Sequence, residues 1–195
     1  MIRSSLILAA MLLSTTLAFA TDFKIGDRLP VKEPTKASTK APTKSSIKTV
    51  TWDDLLPADW DPMAGFKGID LNKLDDADPR AIEALEKMRI AWDAAPANPA
   101  MSGRNIRIPG FIVSLDGGPN ELREFLLVPY FGACIHVPPP PANQIIHVMP
   151  NKPVKGVKNM EAVWVSGKIT LGLSDTVMGN SSYRMQAVSV TPYKK

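Results

Sequence analysis

The chain has one cysteine and two histidines in 195 residues, and two of these three, Cys134 and His136, stand two residues apart. They lie in the run Leu127-Val-Pro-Tyr-Phe-Gly-Ala-Cys-Ile-His-Val-Pro-Pro-Pro-Pro-Ala-Asn-Gln144, between an apolar stretch and four consecutive prolines. In an extended segment, side chains two apart point the same way, so a thiolate and an imidazole could face one metal ion. His147 follows eleven residues beyond His136, and the intervening prolines could fold it back as a third ligand. Cysteine and histidine donors suit zinc or copper(I), and Met149 would add a thioether for copper. Against this, C-x-H is not a standard zinc spacing, and a cysteine without a partner is also a common core residue. Cys134 as a nucleophile, with His136 or His147 as base, is a further reading. The chain has no C-x-x-C, no G-x-S-x-G and no glycine-rich phosphate loop, so it reads as a non-enzyme. Pro138, Pro139, Pro140 and Pro141 predict a rigid polyproline II segment with no N–H to donate. That segment is either a stiff loop or a preformed ridge that docks a partner, with Tyr130 and Phe131 before it and Asn143 and Gln144 after it.

These residues need a scaffold, and the chain divides into three parts. Arg3, the apolar Leu6 to Leu17 and the Ala18-Phe-Ala20 pattern predict a secretory signal cleaved after Ala20, and hence a periplasmic protein with no transmembrane segment. Residues 21–50 read as a disordered cationic tether: lysine recurs every four residues from Lys32 to Lys48, and Pro34 and Pro42 forbid a helix. Val31 to Val50 holds five lysines and Glu33, a local charge of +4; taking that and Arg3 from the total of +4 leaves −1. A near-neutral folded part argues against nucleic-acid binding, which needs a basic face.

Residues 51–195 read as one globular domain, helical over 51–95 and β over 101–195. Asp78 as N-cap and Pro79 as first residue predict a helix from Pro79 to Ala95, with Ala81, Leu85, Met88, Trp92 and Ala95 forming one apolar stripe. Alternation predicts strands over Asn105–Leu115, Glu124–Val128, Gln144–Met149, Glu161–Leu171 and Ser182–Val190. The alternation slips by one residue at Pro109-Gly110, as at a β-bulge or sharp bend. Trp164 falls on the polar face of its strand, either exposed or covered by the helix. The expected fold is a mainly β, OB-fold-like barrel of five antiparallel strands with one amphipathic helix before it; the alternative is a β-sandwich.

The motif from Phe125 to Gln144, with Ile108-Pro-Gly-Phe-Ile-Val-Ser-Leu115 and Val163-Trp-Val-Ser-Gly-Lys-Ile169, resembles the exported bacterial domain-of-unknown-function family 3299 over about Thr51 to Tyr193. Cys134, His136, Asn143 and Gln144 match that family's motif. The resemblance implies a place beside ABC-type transporter components, in some cases near genes tied to zinc supply. The expectation that follows is a periplasmic metal-handling accessory whose partner is a membrane ABC-transporter component or another periplasmic protein. Its alternative is a protein-binding module with Cys134 buried as core.

Overall fold

A computed structural model describes residues 23–31, 46–64, 75, 78–118 and 121–194. The expected signal segment and most of the lysine repeat lie outside these residues. Of the segment expected to be a tether, residues 23–31 and 46–50 are described and make contacts with the rest of the protein. Leu29 and Val50 are buried, Gly26 N–H donates to the Phe131 carbonyl, and Lys48–Thr49 forms a short strand, β1.

Helix α1 spans Pro79–Asp93. It begins as its sequence dictates: the Asp78 carboxylate accepts from the Arg80 N–H, and the Arg80 guanidinium beside it holds that carboxyl down to about 2. Its apolar stripe is not all core. Ala81, Ala84 and Ala95 are buried and Met88 and Trp92 half-buried, but Leu85 is 53% exposed.

The remaining strands are β2 (Asn105–Gly118), β3 (Glu121–Val128), β4 (Ile146–Pro150), β5 (Val154–Lys155), β6 (Ala162–Thr176) and β7 (Gly179–Pro192). One mixed sheet holds all seven strands described, in the order β1-β2-β6-β7-β4-β3-β5, and β2 also pairs with β3. Two expectations are thereby corrected. The strands are not all antiparallel, since β1 lies parallel to β2 and β4 parallel to β7. They number seven rather than five, and a single sheet replaces the two facing sheets of a sandwich.

Alternation sets the two faces. Ile106, Ile108 and Ile112 of β2 join Phe125, Leu127, Ile146, Val148 and Val165 in the main core. The alternate residues Phe111, Val113, Leu126 and Val128 form a second cluster on the other face, closed by Leu29 and Ala133, with Phe23 and Phe131 packed against it. This second cluster explains the apparent phase slip in β2. There is no bulge at Pro109-Gly110: the register with β6 runs unbroken from Asn105↔Lys168 to Phe111↔Ala162, and both faces of β2 are apolar because both are covered. Pro109 is tolerated because its edge faces away from β6, where its carbonyl accepts from Trp52 Nε1 at 2.8 Å. Gly110 marks the crossing onto β3, where a Cβ would stand 2.8 Å from Leu127 Cγ. The register shifts are elsewhere, at Ser114/Asp116 and Asp116/Gly117 against β3, and at Ser166/Gly167 and Leu171/Ser174 against β7.

Candidate functional site

The central motif leaves β3 at Val128 and folds into a tight turn around one carbonyl. Gly132 C=O accepts from the N–H groups of Ile135, His136 and Val137. Gly132 takes φ +88°, and Cys134 takes φ 65°, a left-handed conformation costly for a residue with a Cβ. The extended geometry that would aim Cys134 and His136 the same way is therefore absent. Cys134 is half-buried with its thiol pushed up to about 12 by burial, while His136 is exposed. A neutral thiol is a poor nucleophile and a poor metal ligand.

His147 lies on β4, turned to the outer face and 8% exposed. Its Nδ1 is 2.8 Å from Ser174 Oγ and its Nε2 is 2.5 Å from Glu124 Oε1. Arg184 Nε donates to the same Ser174 oxygen, and Arg184 Nη2 donates to the Leu173 carbonyl. Both ring nitrogens are thus occupied in a chain of polar contacts that ties together β3, β4, β6 and β7. Among the described residues, no group of three or more His, Cys, Asp and Glu side chains is placed to hold a metal ion. Cys134 and His136 lie in the turn after β3, whereas His147 lies on β4 with its ring nitrogens beside Ser174 and Glu124.

The end of the motif is structural. Asn143 is fully buried and its Nδ2 donates to the Pro96 carbonyl; Gln144 Nε2 donates to the Trp52 carbonyl at 2.9 Å. These two side chains, expected to touch a partner, tie the loop to the segment after α1 and to the chain before it. Phe131 is half-buried, with its ring 5.6 Å from that of Phe111. Tyr130 is half-buried, and burial, the largest influence on its phenol, raises its pKa. Of the proline run, Pro138 and Pro139 are exposed, Pro140 is buried and Pro141 is half-buried.

Pro138 and Pro139 form one wall of a groove of about 650 Å³. Met88, Arg89, Trp92 and Asp93 of α1 form the second wall, the β6–β7 turn from Asp175 to Asn180 forms the third, and Cys134 also lines it. The turn is held rigid. Thr176 Oγ1 donates to the Gly179 carbonyl at 2.7 Å and accepts from the Met178 N–H. It rests on the proline run, since a Cβ on Gly179 would stand 3.1 Å from Pro139 Cβ. Trp92 is fixed by its Nε1, which donates to the Pro62 carbonyl. The sequence places Met88 and Trp92 in the core and leaves Val177 and Met178 in an unread turn. Two consecutive apolar residues in a tight turn were the available signal, and Val177 is 96% exposed.

A model of a protein family of unknown function, DUF3299, matches residues 52–192. The chain belongs to the DUF3299 family. Its structure is similar to the crystal structure of a DUF3299 family protein from Pseudomonas aeruginosa PAO1, at 34% identity and a TM-score of 0.60 over 77% of this chain and 99% of that one. No curated protein matches the chain. The matched span includes every part of the groove and of the His147 contacts. In this DUF3299 chain, no helix among the described residues is long and apolar enough to cross a membrane.

Proposed function

We propose that this DUF3299 chain is an exported, non-enzymatic binding module, an OB-like barrel that holds an extended segment of a partner protein in its groove. The barrel reading is supported by strand pairing that returns to its start, from β2 through β6, β7, β4 and β3 back to β2, with β4 and β7 parallel. Export is supported by the apolar Leu6 to Leu17 run and the Ala18-Phe-Ala20 pattern.

The groove carries the functional reading. Three separate elements meet there, and each contributes apolar surface: Trp92 from the helix, Pro139 from the motif and Met178 from the turn. The exposed prolines have no N–H and fixed φ, so they form a wall without ordering cost, a preorganisation that favours binding of an extended chain. A volume of about 650 Å³ lies within the ordinary range of ligand pockets. The test is selection of a random-peptide display library on the protein without its signal segment. Peptides are expected to be enriched on the native protein and lost on Trp92→Ala and Val177→Asp. Peptides retained by both variants, or none enriched, would overturn the reading.

A further inference from the structure

The groove is lined by apolar and polar residues together and is unequal in charge. Its lining holds two carboxylates, Asp93 and Asp175, and one cation, Arg89. That cation is already used: Arg89 Nε and Nη2 donate to Glu86, and Nη1 donates to Asp93 at 3.0 Å. Asp175 is exposed and has no hydrogen-bond or ion-pair partner among the described residues. It stands beside Ser174, which is held by His147 and Arg184, and beside the locked turn from Thr176 to Gly179, so its backbone is fixed. A carboxylate anchored at the wall of this groove lacks a counter-charge among the described residues, and the Trp92 indole lines the same groove.

The geometry points to a lysine or arginine side chain of the partner segment as the group this groove receives. This rests on the peptide-binding reading above and adds the chemistry of the bound residue. The stem of such a side chain is apolar and packs against Trp92, Pro139 and Met178, while its charged end reaches Asp175. An indole face attracts a cation, and a carboxylate completes the neutralisation. Arg89 is unavailable to compete, because its guanidinium is held by Glu86 and Asp93.

The experiment uses fluorescein-labelled peptides taken from the library selection, each made in two forms, with its basic residue and with glutamine in its place. Binding is read by anisotropy at low and at physiological salt. The basic form is expected to bind about tenfold more tightly, with the advantage shrinking as salt rises. Asp175→Asn should remove most of that advantage and leave the glutamine form unchanged. Asp175→Lys with a glutamate-bearing peptide should restore binding. Equal affinity of the two forms, or an advantage untouched by Asp175→Asn, overturns this inference while peptide binding stands. If no labelled peptide loses affinity on Trp92→Ala, the peptide-binding reading itself fails, and this inference with it. Thermal unfolding of each variant confirms that the exposed substitution leaves the fold intact.

Discussion

Burial of Cys134 decides when its thiol reacts. With the pKa pushed up to about 12, the thiolate is scarce at neutral pH. Iodoacetamide labelling followed by mass spectrometry should be slow at pH 8 in the native protein and fast once it is unfolded in urea. Native labelling as fast as that of the unfolded chain would show an exposed thiol. The same burial bears on metal: Cys134→Ser is expected to leave zinc and copper(I) affinity unchanged, as measured by calorimetric titration, and a large loss would restore Cys134 as a ligand. His147 has the opposite character, engaged at both ring nitrogens. His147→Ala should cost about 2 kcal/mol in urea unfolding, because it strips partners from Glu124 and from the buried Ser174. The sequence offered His147 as a metal ligand from residue type and spacing alone. Its hydrogen-bond partners, 23 and 27 residues away on other strands, left no local mark.

The elements were largely legible. The helix cap at Asp78 and the alternation in β3, β4, β6 and β7 are local signals, and local signals survive folding. The parallel pairing of β4 with β7 was not legible, because register between distant strands leaves no mark in either strand alone. The phase slip at Pro109-Gly110 came from apolar residues on both faces of β2, and Gly110 itself marks a close approach to β3. Gly167 is the stricter case: a Cβ there would collide with the Gln186 carbonyl, which belongs to the backbone of β7 and cannot rotate away. Gly167→Ala should therefore destabilise the protein by about 3 kcal/mol or more, or prevent folding, whereas Gly156→Ala meets nothing within 4 Å and carries only the strain of its φ +72°, about 1–2 kcal/mol. Comparison of their urea midpoints separates the two.

At the scale of the molecule, Tyr183 connects parts far apart in sequence. Its hydroxyl donates to the Leu55 carbonyl and accepts from the Asn98 N–H, joining β7 to the chain on either side of α1. Burial pushes its phenol up to about 12 from an ordinary 10.0. The folded state therefore holds this proton more tightly than the unfolded state. The resulting stability is complete below about pH 10 and is lost as pH rises through about 12. Tyr183→Phe should lower stability by about 1–3 kcal/mol at neutral pH and flatten the decline in urea midpoint between about pH 10 and pH 12. An unchanged alkaline slope in the variant would assign that decline to other groups.

The chain before the main sheet is held at two places. Residues 23–31 dock on the outer face, where Phe23 lies 5.1 Å from the Phe111 ring and Tyr193 Oη donates to the Pro30 carbonyl. Then Lys48 and Thr49 pair with β2. Cleavage between these anchors should therefore leave both pieces together: after limited trypsin treatment the segment carrying residues 23–31 is expected to co-elute with the main sheet in size-exclusion chromatography and to separate from it only under denaturant.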